Sequence, residues 1–179
     1  MEKARVDLLV MAAKLGDSNA FDQLCRHFQP GLLRFAYKLL NSESLAMDAC
    51  QNTWLKMTKS IRRLDDPRAF KSWLYRSLRW QATDMQRKRI NEEPLTEQQE
   101  LEQCHQAQQH HDSLAINDDL LLQINHLSEI DKQAIYLFYL EEMTLQEIST
   151  VLGVPIGTVK SRLNRARNQL RKTLTNSCH

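Results

Sequence analysis

The sequence predicts an all-α protein: two small helical domains joined by a flexible acidic linker. Three observations carry this. Turn-formers are scarce, since 179 residues hold only four Gly and four Pro while 42% are hydrophobic, and the apolar residues recur at helical spacing. Charge is unevenly spread: residues 1–90 carry 17 Lys and Arg against 9 Asp and Glu, residues 91–118 carry 7 acids with no Lys or Arg, and residues 119–179 carry 7 bases against 6 acids. The middle stretch, rich in Gln, Glu and His, is too polar to bury a core. It reads as a linker, with at most a weak helix around Gln98–Gln109, between domains at 1–90 and 119–179.

Along the first domain, Val6, Leu9, Val10 and Ala13 follow the i, i+3, i+4, i+7 pattern and predict a helix to about Leu15. Gly16 ends it, and Asp17, Ser18 or Asn19 can cap the next. Phe21, Leu24, Cys25 and Phe28 line a second helix, and Pro30-Gly31 is expected to break the chain before a third, apolar helix over Leu32–Leu40. Asn41-Ser42 is a turn or cap, and a fourth helix begins near Glu43. Its buried side holds Leu45, Cys50, Thr53, Trp54, Met57 and Ile61, while Asp48, Gln51 and Leu55 form a second, mixed face. By residue type alone, Asp48 and Gln51 fit a solvated helix surface as well as an interface.

Asp65-Asp66-Pro67 marks a loop and another helix start. Phe70, Trp73, Leu74, Ser77, Leu78 and Ala82 pack inward in this reading. Arg76, Arg79, Gln81, Arg87, Lys88 and Arg89 are available to phosphates, and Trp80 and Tyr75 are candidates to stack on bases. Basic residues mixed with aromatics suit single-stranded nucleic acid, because every base offers a face for stacking.

In the second domain Leu120, Leu121, Ile124 and Leu127 make a short helix, and Ser128 with Asp131 has the spacing of a capping box before a helix to about Leu140. The most informative stretch is Thr144–Lys172. Thr144 with Glu147 is a capping box, Leu145, Ile148, Val151 and Leu152 give one apolar face, and Gly153 suits the left-handed conformation past a helix end. Pro155 suits the first turn of the following helix. There Val159, Leu163, Ala166 and Leu170 fall on one face, Thr158, Lys160, Ser161, Arg162, Asn164 and Arg165 on others, and no acid interrupts the bases. A short helix, a glycine turn and a basic, half-apolar helix make a helix-turn-helix, whose second helix can enter a DNA major groove.

Other chemistries find little footing. The four cysteines, Cys25, Cys50, Cys104 and Cys178, share no repeated spacing, so a reducing cytosol is expected rather than a disulfide framework. No apolar run is long enough to span a membrane, and no signal-peptide pattern opens the chain, so a soluble, cytoplasmic protein is expected. Cys104, His105, His110 and His111, with Cys178-His179, contain metal-ligating types but match no regular site. A metal sensor stays open as an alternative, and no cofactor is expected. Nucleotide-binding glycine loops, H-E-x-x-H and nucleophile–base pairs are absent, so no enzyme is expected.

With these residues in view, LQEISTVLGVPIGTVKSRLNRARNQLRK closely resembles region 4 of bacterial sigma factors, which reads the promoter −35 element. The run G-V-P-x-G-T-V-K-S-R-L-x-R-A-R is particularly like the extracytoplasmic-function (ECF) group, although LuxR-type regulators share the helix-turn-helix shape. D-x-x-Q-x-x-W-L at Asp48–Leu55 resembles the region 2 helix that grips the clamp coiled coil of RNA polymerase, where many members have Phe in place of Trp54. F-K-S-W-L-Y-R at Phe70–Arg76 resembles the part of region 2 that captures and melts the −10 element. The family often continues I-A-R-N where this chain has Leu78-Arg79-Trp80-Gln81. No counterpart of the region 3 domain or of the N-terminal extension of housekeeping sigma factors is found, which favours the ECF group.

The resemblance implies core RNA polymerase and promoter DNA as partners, with an anti-sigma factor as a third. It implies polymerase contacts at Asp48, Gln51, Trp54 and Leu55. It implies −10 contacts at Arg76, Arg79, Trp80, Gln81, Arg87 and Lys88, with a flipped base held by the loop around Lys59 to Arg68. It implies −35 contacts at Thr158, Lys160, Ser161, Arg162, Asn164 and Arg165. An ordinary helix-turn-helix regulator with an N-terminal sensory domain is the rival reading.

Overall fold

The computed structural model describes residues 2–92 and 127–176, with side chains over 2–89 and 127–171. The chain divides into two compact units, Met1–Gln109 and His110–His179. Every regular element among the described residues is helical. The predicted linker helix, most of the predicted helix at Leu120–Leu127, and the Cys104, His105, His110, His111 and Cys178-His179 groups fall outside the described residues.

The first unit contains α1 (Lys3–Lys14), α2 (Ser18–Leu40), α3 (Glu43–Ser60), two 3-10 turns (Ile61–Arg63 and Pro67–Ala69) and α4 (Phe70–Glu92). The caps are local and match residue type. Asp17 accepts from the Asn19 and Ala20 amides at 2.9 and 3.0 Å. Asn41 ends α2 in the left-handed region at φ 50°, and Ser42 caps α3. Asp66 accepts from the Arg68 amide ahead of α4.

One expectation fails here: Pro30-Gly31 does not break the chain, and α2 runs unbroken from Ser18 to Leu40. Proline inside a helix costs about 3 kcal/mol, through a lost hydrogen bond and a clash with the preceding turn. Against this, Leu24, Phe28, Leu32, Phe35 and Leu40 are buried on both sides of Pro30 along one stripe whose phase does not change. Each large apolar side chain contributes about 1.5–3 kcal/mol on burial, so the stripe outweighs the proline. Pro30 itself is exposed, while Gly31 is buried.

The interior of this unit is built from α2, α3 and α4. Phe28 and Phe70 rings lie 5.7 Å apart, as do Phe35 and Tyr75. Tyr75 is therefore core, 1% exposed, which corrects its reading as a base-stacking residue. Position 75 follows Leu74 and precedes Leu78 on the same buried arc, and Phe35 from α2 closes over it. Trp54 is half-buried: its ring meets Phe21 edge-on at 5.8 Å, and its indole N–H donates to Gln29 Oε1 at 2.7 Å.

The second unit contains α5 (Glu129–Ile135), a π turn (Tyr136–Leu140), α6 (Leu145–Leu152) and α7 (Ile156–Asn176). Leu127, Ala134, Leu137, Met143, Ile148, Val151, Leu152, Val159, Leu163 and Ala166 form its interior. The Thr144–Glu147 capping box is complete, with Glu147 accepting from the Thr144 amide at 2.8 Å and Thr144 Oγ1 from the Glu147 amide at 3.2 Å. Gly153 adopts φ 68°, ψ 36°. Pro155 stands one position ahead of the helix rather than inside it, its carbonyl accepting from the Thr158 and Val159 amides. The second predicted capping box forms only in part. Ser128 Oγ accepts from the Asp131 amide at 3.3 Å, but the Asp131 carboxylate turns to a partner on α7.

Candidate nucleic-acid interface

The outer face of α3 carries Asp48, Gln51 and Leu55, all exposed, and Met47 beside them, 55% exposed. Met47 lies one turn before Gln51, a neighbour the sequence reading left out although i, i+4 spacing marks it. Two exposed apolar side chains, Met47 and Leu55, thus stand beside an acid and an amide on one helix face. Trp54 lies at the border of this face, with its polar tip occupied by Gln29.

The six candidates on α4 do not share one face. At roughly 100° per residue, Arg76, Trp80 and Arg87 form one line with Arg79 beside it, and Gln81 with Lys88 lies about a third of a turn away. Trp80 is 55% exposed, and the Lys56 ammonium of α3 sits 4.8 Å from its ring centroid. This cation–π contact steadies an indole that remains largely open to solvent. Lys56 is a second residue missed from sequence, because its relation to Trp80 spans two helices. Lys88 is drawn to Asp84 at 3.0 Å, one turn back, which reduces the charge it offers to phosphate.

On α7, Lys160, Ser161 and Asn164 are exposed, while Thr158 and Arg162 are half-buried at the edges. The Ser161 hydroxyl donates to the Thr158 carbonyl at 2.9 Å. Shallow grooves of about 570 and 560 Å³ lie along the helix, and Ser161 and Asn164 line both. The face is thus a narrow polar crest with Lys160 on one shoulder, suited to hydrogen bonding with base edges and a phosphate contact alongside. Arg167 is held elsewhere, over the Phe138 and Tyr139 rings and donating from Nε to Tyr139 Oη at 2.8 Å.

Arg165 is exposed and lines one of these grooves with Ser161 and Asn164, and its guanidinium is paired with an acid of α5. Its Nε donates to Asp131 Oδ2 at 2.9 Å and its Nη2 to Oδ1 at 2.7 Å. Burial pushes the Asp131 carboxyl up, but hydrogen bonds from Arg165 and Ser128, with the charges of Arg165 and Arg162, outweigh it and hold the group below the usual carboxylate range. No spacing rule joins residues 34 apart, so this pairing is not legible in the sequence.

Among the described residues, no group of three or more His, Cys, Asp or Glu could hold a metal ion, and no helix is long and apolar enough to cross a membrane. Burial pushes the Cys25 thiol up to about 11 and the Cys50 thiol to about 12, so neither is a ready nucleophile at neutral pH.

Both units have counterparts among known proteins. The profile of sigma-70 region 2 matches residues 24–90, and that of sigma-70 region 4 matches residues 117–170. The ECF RNA polymerase sigma factor SigE of Mycolicibacterium smegmatis is 32% identical over 87% of this chain, which spans 62% of that protein. The ECF RNA polymerase sigma factor SigW of Bacillus subtilis is 27% identical over 92% of this chain and 94% of its own length. Among solved structures, the sigma factor RpoE of Bartonella quintana, in complex with the anti-sigma factor NepR, superposes with a TM-score of 0.64 at 27% identity, covering 87% of this chain and 96% of that one. With region 2 and region 4 matched in chain order over more than half of its residues, the chain belongs to the sigma-70 family, in its ECF group.

Proposed function

We propose that this chain is a small alternative sigma factor that binds core RNA polymerase and directs initiation at particular promoters. The observation that carries this is the pairing of region 2 and region 4 on two separate compact units, each with a differentiated exposed helix face. The α3 face of Met47, Asp48, Gln51 and Leu55, bordered by Trp54, would dock on polymerase. Arg76, Arg79, Trp80 and Arg87 of α4, with Gln81 and Lys88 to one side, would hold the −10 element as it opens. Lys160, Ser161 and Asn164 of α7, edged by Thr158 and Arg162, would lie in the −35 major groove. Promoter binding and strand separation need no catalytic side chain, so phosphodiester chemistry belongs to the polymerase.

The same reading places the protein in the cytoplasm and makes an anti-sigma factor a candidate partner, as in the complex of the similar Bartonella sigma factor. The domain division that fits it is 1–90 for region 2, 91–118 for the acidic linker and 119–179 for region 4. The test is transcription from a promoter library by purified core polymerase with and without the chain, beside a pull-down with the Gln51→Ala, Leu55→Ala double variant. Selective transcription that the folded double variant loses supports the proposal. DNA binding without any affinity for polymerase would instead leave an ordinary helix-turn-helix regulator.

A further inference from the structure

The Arg165–Asp131 pair is asymmetric. The Arg165 side chain is 63% exposed, whereas that of Asp131 is 3% exposed. Both carboxylate oxygens are engaged by the Nε–Nη2 edge of the guanidinium, and the Ser128 hydroxyl, at the N-cap of α5, accepts from the Asp131 amide and holds it in place. A guanidinium reads guanine by presenting two parallel donors to O6 and N7. Here one such edge is already spent on a carboxylate. Withdrawing it would leave a buried anion without its cation, the outcome that makes breaking such pairs costly. Arg162 adds a second positive charge near the same carboxylate. Across α7 from this pair, Arg167 is fastened to Tyr139, so the recognition helix is tied on two sides to the segment that precedes α6.

We propose that Asp131 and Arg165 are positioning residues for −35 recognition: the pair seats α7 on α5 at the angle that presents Lys160, Ser161 and Asn164, and Arg165 does not itself contact DNA. This rests on the function proposed above. Each half of the pair is then needed for promoter binding although neither touches the promoter. Lys does not replace Arg165, because an ammonium lacks the two-pronged edge.

The experiment uses the full chain assembled with core polymerase and a promoter duplex, with affinity measured across a salt series at a temperature where every variant is folded by circular dichroism. Lys160→Ala, which removes a phosphate contact, should lower the slope of log affinity against log salt by about one. Arg165→Ala, Arg165→Lys and Asp131→Asn should each weaken binding by about tenfold and leave that slope unchanged. The Asp131→Asn, Arg165→Ala double variant should bind no worse than either single one. An Asp131→Asn, Arg165→Gln variant, which keeps a neutral hydrogen-bonded pair, serves where the single changes do not fold, and it should show the same unchanged slope. A slope change of about one for Arg165→Ala, or loss of preference at a single −35 base pair, would make Arg165 a DNA contact and overturn the proposal. Normal binding by Asp131→Asn would overturn it too, as would a deficit that vanishes once folding is complete. Failure of the wild-type chain to bind polymerase is a separate result, seen before any variant is compared, and would sink the sigma-factor reading itself.

Discussion

Gly153 gives a clean separation of backbone strain from steric crowding in the turn that aims α7. Its φ of 68° lies in the left-handed region, and a Cβ built there meets nothing within 4 Å. Gly153→Ala therefore adds no clash. It adds the left-handed penalty of about 1–2 kcal/mol, offset by about 0.4–1 kcal/mol from a less flexible unfolded chain. The expected net loss is about 1 kcal/mol, or a melting shift of roughly 4–8 °C for a unit of this size. Gly153→Asn should lose less, since Asn tolerates this conformation. The assay is thermal unfolding of the full chain with two probes. All three tryptophans, Trp54, Trp73 and Trp80, lie in the first unit, so their fluorescence follows region 2, while far-UV circular dichroism also registers region 4. The variant should move the dichroism transition and leave the fluorescence transition in place. A loss above about 3 kcal/mol, or an Asn variant no better than Ala, would refute the assignment of the cost to φ alone.

Further outcomes follow from the same geometry. Leu163 is 2% exposed, and Leu163→Ala should cost about 2–5 kcal/mol, enough to melt most of the region 4 unit by dichroism at 37 °C while tryptophan fluorescence stays native. Trp54→Phe keeps the ring against Phe21 but removes the donor to Gln29, so a loss of about 1 kcal/mol is expected in urea unfolding. Asp131 has its folded pKa depressed by Arg165, Ser128 and Arg162 against the upward push of burial. Its contribution is therefore fully present above the unfolded value, about 3.9, and is lost as pH falls through the lower folded value. The stability difference between wild type and Asp131→Asn should be flat from about pH 5 to 8 and shrink below about pH 4. A difference that instead grew on acidification would contradict the pairing.

What the sequence determined by itself are features whose causes lie within a turn or two of the residue concerned. The caps at Asp17, Ser42, Asp66 and Thr144, the left-handed Gly153, and the buried stripe of Val159, Leu163 and Ala166 depend on partners two to four positions away, and each stands where residue type and spacing place it. The family is legible for the same reason, because the helix-turn-helix run and the region 2 motifs are contiguous. Tertiary structure decided the rest. Pro30 is absorbed because Leu24, Phe28, Leu32 and Phe35 find one interior on both sides of it, which local propensity does not register. Tyr75 becomes core because Phe35 closes over it. Lys56 meets Trp80 across 24 positions and Arg165 meets Asp131 across 34. A basic side chain's reach is long and its pattern signal weak, so its role is set by whichever acid or ring the fold brings within about 4–6 Å.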